Sequence, residues 1–308
     1  MVTIESKEAI KVPGTNLDKV LWPDEGYTKK DLIHYYSKVF TNLIPYLQER
    51  PLVVTRYPSG IKGKWFYQKN APAGTPEWVR TFPWFSSHSQ RYLNFIICDR
   101  LETMLWLANQ ACIELHPWMS PIHHLDKPDF VVFDLDPSAE STYEDVLDVA
   151  EALHEILRHL GLRSYPKTSG ATGLHILVPT NNEYTYDELR DFVRVIAEMV
   201  VQLVPSQATV VRKVKDRQGK VYVDYLQNIR GQTVCAPYSL RPLPGAPVST
   251  PFSWDELRHI KTGDFNMISV PLRLEQMGDP LAHMITDPQS IKASWQQLKA
   301  AFHPVGKR

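Results

Sequence analysis

The segment that most constrains the fold of this chain is an apolar run at residues 130–133 that ends in two aspartates, Asp134 and Asp136. Such a run is typical of a buried β-strand, in which residues two apart point to the same face. Neighbouring carboxylates resist ionisation unless a cation lies between them, and their oxygens suit a hard divalent ion. The segment therefore predicts a magnesium or manganese site. A solvated strand end before a turn at Asp136 and Pro137 is the alternative.

Two further segments have a related composition. Residues 220–225 alternate like a strand and carry Asp224 near its end, while residues 169–173 form a small-residue loop before an apolar run at 174–178. Gly170 and Gly173 permit close backbone approach, so the loop could present N–H groups to a phosphate. The loop lacks the spacing and the lysine of a P-loop, and an ordinary hairpin turn is the alternative.

Five motifs in this order resemble the archaeo-eukaryotic primase superfamily, and specifically the polymerase domain of ligase D and its stand-alone relatives in end joining. They are TNLDKVLWP at residues 15–23, FDLDP at 133–137, TSGATGLH at 168–175, VDYLQN at 223–228 and APYSLR at 236–241. The resemblance covers about residues 15–260. It implies an α/β (α+β) fold with a primase-type catalytic core and an N-terminal α/β lobe.

Periodicity from residue 130 onward predicts a strand at 130–136, a helix at 143–160, strands at 163–167 and 174–178, a helix at 186–204, a basic strand at 209–215 and a strand at 220–226. The core of this series is βαββαβ, as in ferredoxin-like and RNA-recognition-motif folds. Its central strands could bring Asp134, Asp136, His175 and Asp224 onto one surface.

The flanking regions are less regular. A helix is predicted to begin at Thr28, where Thr28 and Asp31 approximate a capping box, and to end before Pro45. Strands are predicted at 52–57 and 93–98, a helix from Leu101 to Cys112, an irregular segment at 70–92 and a helix at 288–302. The predicted organisation is one domain of 308 residues, with a lobe at 1–129, the catalytic core at 130–260 and an extension at 261–308.

The resemblance implies nucleotidyl transfer by a two-metal mechanism, with Mn²⁺ or Mg²⁺ as cofactors and an NTP or dNTP as substrate. Asp134 and Asp136 would bridge both ions, and Asp224 would complete the catalytic one. The residues that match the family's nucleotide pocket are Ser169, His175, Arg241, His116 and Arg56. Thr172 replaces a lysine found at that loop position in some relatives.

The resemblance also implies contacts with DNA ends or with a gapped duplex. Asn16, Lys19 and Lys29 match residues that hold the 5′-phosphate of a downstream strand. Phe66 and Tyr67 match aromatics that stack at the gap, beside Trp65 and several lysines. A solvated basic face and a buried aromatic cluster are the alternatives.

Composition limits these interpretations. Lys plus Arg and Asp plus Glu are both 34, so net charge does not support a nucleic-acid partner. The three cysteines are too far apart for a zinc knuckle and are expected to be reduced and buried. No apolar run is long enough to span a membrane, and the start lacks a signal-peptide core, which predicts a cytoplasmic, nucleoid-associated protein with no membrane partner. His123 and His124 are expected in a surface loop.

The function predicted from the resemblance is template-dependent polymerisation that fills short gaps and extends ends in double-strand break repair, with a preference for ribonucleotides. Because no KxDG adenylation motif occurs, a separate ATP-dependent DNA ligase is an expected partner. The resemblance to end-joining polymerases implies Ku as a second partner. The alternatives are gap filling in excision repair, a catalytically idle module that binds DNA ends, and a metal-dependent nuclease.

Overall fold

A computed structural model describes residues 2–4, 12–87, 89–261 and 263–301. The chain divides into two compact units. The first unit comprises Met1–His123, Thr233–Thr250 and Lys261–Asp279, and the second comprises His124–Gln232, Pro251–Ile260 and Pro280–Arg308. The linear division into lobe, core and extension stays a prediction.

The strands are β1 (Val2–Ile4), β2 (Val12–Gly14), β3 (Val20–Trp22), β4 (Tyr27–Thr28), β5 (Leu52–Arg56), β6 (Phe66–Gln68), β7 (Thr81–Ser86), β8 (Arg91–Ile96), β9 (Cys112–Pro117), β10 (Phe130–Asp136), β11 (Tyr165–Thr168), β12 (Leu174–Pro179), β13 (Ala208–Thr209) and β14 (Val221–Asp224). The helices are α1 (Lys29–Leu43), α2 (Leu101–Asn109), α3 (Tyr143–His159), α4 (Tyr186–Leu203), α5 (Ser269–Met277), α6 (Ala282–Thr286) and α7 (Lys292–Ala301).

The first unit is built on a sheet with the order β6-β5-β8-β7, in which β9 also pairs with β5. Helix α1 begins with the predicted capping box, because Thr28 N–H donates to Asp31 Oδ2 at 2.7 Å and Thr28 Oγ1 accepts from Asp31 N–H at 3.4 Å. Leu32, Val39 and Leu43 on the apolar stripe of α1 are fully buried. This confirms the predicted helix and its N-terminus.

The second unit contains a sheet with the order β11-β12-β10-β14-β13. Strands β10, β11, β12 and β14 pair antiparallel, and β13 pairs parallel to β14. The succession β10-α3-β11-β12-α4-β14 is the predicted βαββαβ unit. Capping boxes at Thr142 and Thr185 begin α3 and α4, and both helices pack on β10. Val131, Phe133 and Leu135 of β10 are fully buried, and alternation along the strand places Asp134 and Asp136 on the opposite face.

The predicted basic strand at 209–215 is wrong. Strand β13 ends at Thr209, whose Oγ1 accepts from the Val211 N–H at 3.1 Å, and residues Val214–Asp216 form a 3-10 helix. The side chains of Lys213 and Lys215 are exposed. Val211 and Val214, the valines next to these charges, are 42% and 68% exposed, so the segment has no continuous apolar face for a sheet to bury and pairing does not extend through it.

Two segments of the first unit also differ from prediction. Helix α2 ends at Asn109, Ala111 has a positive φ of 57°, and Cys112 begins β9 instead of extending the helix. The segment expected to be irregular contains β7, which lies at the sheet edge, where Pro83 costs no ladder hydrogen bond.

The C-terminal helix is predicted to begin at residue 288, but the observed helix, α7, begins at Lys292. A separate short helix, α6, ends at Thr286 just before it. Asp287 ends α6 instead of capping α7, and Pro288 disfavours helical backbone at the residue before it. The Gln289 side chain bonds to the backbone N–H and C=O of Arg163 at 2.9 and 2.8 Å, which holds the segment before α7 away from helical geometry. Residue 302 of the predicted helix lies outside the described residues.

Cys98, Cys112 and Cys235 are free and buried, as predicted. His123 and His124 are exposed, as predicted, but they belong to a short 3-10 helix, Ile122–His124, instead of a loop. Across the residues that the structure describes, none of the helices is both long and apolar enough to cross a membrane.

Candidate active site

The three predicted acids lie on neighbouring strands of the second unit. Asp134 in β10 stands directly opposite Asp224 in β14, and Asp136 stands opposite Tyr222. On the other side of β10, Asp134 stands opposite His175 in β12. Asp134 Oδ1 lies 3.5 Å from His175 Nε2. Opposed residues, and residues two apart on one strand, share a face, so the structure brings these side chains onto one surface.

Hydrogen-bond donors hold two of the carboxylates. Arg217 Nη1 donates to Asp136 Oδ2 at 2.9 Å, and the guanidinium lies 4.3 Å from the ring centroid of Tyr222. Tyr222 Oη donates to Asp224 Oδ1 at 3.0 Å, and the Leu226 N–H donates to the same oxygen at 2.8 Å. Burial, and then the charge of Asp224, raise the pKa of Tyr222, so the phenol remains a hydrogen-bond donor at neutral pH.

The three carboxylates fit a divalent cation by chemistry and by strand register, since all are hard oxygen ligands at adjacent positions. However, no three His, Cys, Asp or Glu side chains in the described part of the chain converge closely enough to hold a metal ion as they stand. Arg217 binds Asp136 and Tyr222 binds Asp224 in this arrangement. Arg217 contacts Oδ2 of Asp136, and a carboxylate has a second oxygen that can bind a cation.

The side chain of Ser169 closes the loop between β11 and β12. Ser169 Oγ accepts from the N–H groups of Ala171 and Gly173, both at 3.1 Å. A Cβ on Gly173 would overlap the carbonyl oxygen of Leu135, so a glycine is required where this loop lies against the end of β10. Because two of its N–H groups already bind Ser169, the prediction that the loop offers its backbone N–H groups to a phosphate is wrong for those two.

Lys167 in β11 extends the row of ionisable residues. It stands directly opposite His175 and is fully buried. Lys167, His175, Asp134 and Asp224 therefore occupy matching positions on four adjacent strands, with the cationic end on β11 and the acids on β10 and β14. Lysine is almost never fully buried without a partner, which marks Lys167 as part of the organised polar face.

In the first unit, Glu114 connects two residues predicted to bind nucleotide. Its Oε1 lies 3.0 Å from Arg241 Nε, and its Oε2 lies 3.7 Å from His116 Nε2. The Glu114 side chain is only 7% exposed. Burial is the largest influence on its pKa and raises it, but the hydrogen bond and charge of His116 and the charge of Arg241 outweigh burial, so the pKa of Glu114 lies below its usual value. The carboxylate is therefore a buried anion between the Arg241 guanidinium and the His116 imidazole.

Arg56, the remaining residue predicted to bind nucleotide, lies close enough to Lys29 to influence its charge. Its Nε donates to the Gln110 carbonyl at 3.1 Å, its Nη1 donates to Gln68 Oε1 at 2.9 Å, and its guanidinium lies 5.3 Å from the ring centroid of Phe66. Its charge also contributes to lowering the pKa of Lys29. Arg56 thus adds to the positive potential around Lys29.

The predicted stacking residues form an exposed aromatic surface in the first unit. Trp65, Phe66 and Tyr67 are 50%, 45% and 60% exposed. The Trp65 ring stacks on Tyr57 at 6.1 Å between centroids and meets the edge of Tyr67 at 5.3 Å. The alternative of a buried aromatic cluster is therefore wrong.

Asn16, Lys19 and Lys29 come together at the start of α1. Asn16 has a φ of 49° and its carbonyl accepts from the Lys19 N–H at 3.1 Å, while the Lys29 N–H donates to the Lys19 carbonyl at 2.8 Å. Lys29 is 6% exposed, and its Nζ donates to the Thr15 carbonyl at 2.7 Å. Burial, and then the charges of Lys19 and Arg56, lower the pKa of Lys29. A buried ammonium beside two further cations is an arrangement that an anion would stabilise.

Comparison with known proteins identifies the class of this chain. Residues 28–281 match the model of the LigD primase-polymerase domain. The chain is 34% identical over 300 residues to the bifunctional non-homologous end joining protein LigD of Bacillus subtilis, which covers 97% of this chain. It is 31% identical over 283 residues to the multifunctional LigD of Pseudomonas aeruginosa, which covers 91% of this chain.

The structural comparison leads to the same class. The polymerase domain of Mycobacterium tuberculosis ligase D, solved in complex with DNA, superimposes with a TM-score of 0.83 at 29% identity, covering 90% of this chain and 99% of that one. The chain therefore belongs to the LigD primase-polymerase domain family, and the predicted fold is confirmed. It spans 47% and 33% of the lengths of the B. subtilis and P. aeruginosa relatives.

Four residues in these clusters were not predicted as site residues: Glu114, Lys167, Arg217 and Tyr222. Glu114, Lys167 and Arg217 lie beside residues distant in sequence, namely Arg241, His175 and Asp136. Tyr222 instead bonds to Asp224 two residues later, and because residues two apart in a strand share a face, the sequence could have indicated its position. Arg217 lies 81 residues from Asp136, and no local pattern indicates that pairing.

We predict that Glu114→Gln lowers the Tm at pH 7 and that this difference disappears in acid. The folded-state pKa of Glu114 is depressed, so its contribution to stability is present above the ordinary pKa and is lost as pH falls through the folded-state value. Glutamine cannot titrate, so the difference in Tm should begin to shrink as the pH falls below the ordinary glutamate pKa of about 4.3 and should vanish only below the depressed folded-state pKa. Thermal melts across this pH range, with the exposed Glu140→Gln as a control, measure the effect. A constant difference at every pH would contradict it.

Proposed function

We propose that this chain is a template-dependent nucleotidyltransferase that fills short gaps and extends ends during double-strand break repair. The observation that carries the proposal is the register that sets Asp134 opposite both Asp224 and His175, in a member of the LigD primase-polymerase domain family. Acids grouped on the face of the βαββαβ sheet opposite α3 and α4 supply the oxygen ligands that such transfer needs.

Asp134, Asp136 and Asp224 are the proposed ligands of two divalent cations, Mn²⁺ or Mg²⁺. Such ions would activate the attacking hydroxyl and stabilise the charge on the triphosphate and the departing pyrophosphate. The chain contributes the spacing of the acids, which strand pairing determines, and Arg217 orients Asp136 through its Oδ2. Tyr222 and the Leu226 N–H orient Asp224 through its Oδ1.

The residues proposed to contact the nucleotide are Ser169, His175, His116, Arg56 and Arg241. The fixed charge and forked donors of Arg241 suit a triphosphate, and Glu114 limits the rotation of that guanidinium. Ribonucleotides are the proposed preference, because a site that hydrogen-bonds the 2′-hydroxyl is left with unpaired polar groups when a deoxy sugar enters.

The proposed DNA contacts are on the first unit. Phe66 and Tyr67, with Trp65 beside them, offer exposed ring faces on which bases can stack. Asn16, Lys19 and Lys29 are proposed to hold a downstream 5′-phosphate, since two lysine ammonium groups and an amide suit a dianion. The lowered pKa of Lys29 supports this role, because a phosphate would supply the negative charge that the cluster lacks.

The repair context is proposed from the relatives, which are named non-homologous end joining proteins. A separate ATP-dependent DNA ligase and Ku are the proposed partners, and the proposed location is the cytoplasm, in association with the nucleoid. Because the chain spans only part of those relatives, the joining step belongs to other polypeptide segments in this proposal.

One assay tests the proposal. The protein is incubated with a 5′-phosphorylated gapped duplex and Mn²⁺, each ribonucleotide or deoxyribonucleotide is supplied separately, and the products are read on a denaturing gel. Extension by the nucleotide complementary to the template, with ribonucleotides used more efficiently, is expected. Shortened DNA without nucleotide would indicate a nuclease, and binding without extension would indicate an idle end-binding module.

We predict that Asp134→Asn, Asp136→Asn or Asp224→Asn lowers incorporation by about a hundredfold or more, since each removes a proposed cation ligand worth several kcal/mol in the transition state. Binding to gapped DNA should persist, because a carboxylate does not attract phosphate. Single-turnover extension and fluorescence anisotropy measure the two properties. The exposed Asp191→Asn in α4 is the matched control, and incorporation by any of the three variants near the wild-type rate would contradict the assignment.

We also predict that binding to gapped DNA depends on the downstream 5′-phosphate through Lys19 and Lys29. A charged hydrogen bond contributes roughly 1.5–3 kcal/mol, so the Lys19→Met, Lys29→Met double variant should lose about tenfold or more in affinity for the phosphorylated duplex. Methionine keeps the aliphatic volume of the buried Lys29. Affinity for the duplex without the phosphate should hardly change.

The same interaction sets a pH dependence. A bound phosphate favours the ammonium form of Lys29, so the phosphate preference should decline as pH rises through its lowered pKa, before an ordinary lysine would titrate. Lys38→Ala with Lys292→Ala removes two exposed helix lysines and serves as the charge-matched control. Equal weakening for both duplexes in the Lys19, Lys29 variant would show general backbone contact instead of end recognition.

A further inference from the structure

Strand β14 stops pairing with β10 at Asp224, one of the three proposed cation ligands. The pairs run from Asp136 opposite Tyr222 to Asp134 opposite Asp224, and none follows. The chain then turns, because the Leu226 N–H donates to Asp224 Oδ1 at 2.8 Å. Val132 lies two residues before Asp134, so its N–H and C=O face the same neighbouring strand and need partners there.

The side chain of Asn228 supplies both partners. Its Oδ1 accepts from the Val132 N–H at 2.9 Å, and its Nδ2 donates to the Val132 carbonyl at 2.7 Å. The same Nδ2 also donates to the Tyr225 carbonyl at 3.1 Å. Asn228 is 1% exposed. One amide thus takes the place of the missing backbone pair and ties the turn after Asp224 to β10.

We propose that Asn228 is a positioning residue that holds Asp224 in register with Asp134, so that the acids can share divalent cations. This inference rests on the proposed function. Asn228 follows Asp224 by four residues, at the end of the turn, and has no direct bond to it in this proposal. It acts through Val132, two residues before Asp134, and through Tyr225, one residue after Asp224. Asparagine suits this role because its amide carries a donor and an acceptor side by side, as a peptide group does.

A purely structural role makes a different prediction. If Asn228 only satisfies buried backbone groups, its removal should lower stability and affect cation binding no more than an equal loss of stability elsewhere in the second unit. Thr180 offers the matched comparison. It is 2% exposed, and its Oγ1 donates to the Pro128 carbonyl at 2.8 Å, just before the opposite end of β10. Thr180→Val removes that buried bond and keeps the side-chain shape.

The experiment measures Mn²⁺ affinity and Tm for the full chain as wild type, Asn228→Ala and Thr180→Val. Free Mn²⁺ is followed by its electron paramagnetic resonance signal during titration. Both variants should show a fall in Tm of roughly 2–6 °C, because each leaves buried backbone groups unpaired. Mn²⁺ affinity should fall about tenfold in Asn228→Ala, which corresponds to 1.4 kcal/mol, and remain at the wild-type value in Thr180→Val.

Asn228→Ser, whose hydroxyl is too short to reach both groups of Val132, replaces the alanine variant if the latter does not fold. Unchanged Mn²⁺ affinity in the folded Asn228 variant overturns the inference alone. Equal loss of affinity in Asn228→Ala and Thr180→Val overturns it as well, because the effect then follows stability. If the wild type binds no Mn²⁺, the proposed metal chemistry fails together with this inference.

Discussion

Two aspartates placed directly opposite each other on paired strands are the constraint on which the second unit's polar face depends. Like charges at such a position destabilise a sheet unless neighbouring groups compensate them. Here Asp134 lies beside His175, and Asp224 accepts from Tyr222 and from a backbone N–H. Arg217 neutralises Asp136 at the adjacent position. This crowding of acids does not stabilise the sheet, so the arrangement is best understood as a cost that function imposes.

The remaining features of the second unit maintain that arrangement. The apolar face of β10 is buried under α3 and α4, so a one-residue slip would move the acids into the core and is excluded. Gly173 lets the neighbouring loop lie against the end of β10, and Ser169 closes that loop through two N–H groups. In the first unit a single buried acid, Glu114, lies between the Arg241 guanidinium and the His116 imidazole.

Periodicity predicted much of this fold because the βαββαβ segment has apolar faces with clear periods, and capping boxes mark its helices. It placed β10, α3, β12 and α4 close to their observed bounds. Prediction failed where local sequence does not determine the outcome. The basic segment after Thr209 has no apolar face to bury, Pro83 is tolerated only because β7 is an edge strand, and Gln289 delays α7 through a contact with Arg163. Lys167, Arg217 and Glu114 matter through register and through distant partners, which spacing along the chain cannot show.

The central claim is that Asp134, Asp136 and Asp224 together hold two divalent cations. Electron paramagnetic resonance of the protein loaded with Mn²⁺, a gapped duplex and a non-reactive triphosphate analogue tests it most directly. Two ions about 3.5–4 Å apart should give the spectrum of a spin-coupled pair, and this spectrum should be lost in Asp134→Asn. A spectrum of isolated Mn²⁺ ions only, or a coupled pair that survives the loss of Asp134, would contradict the account.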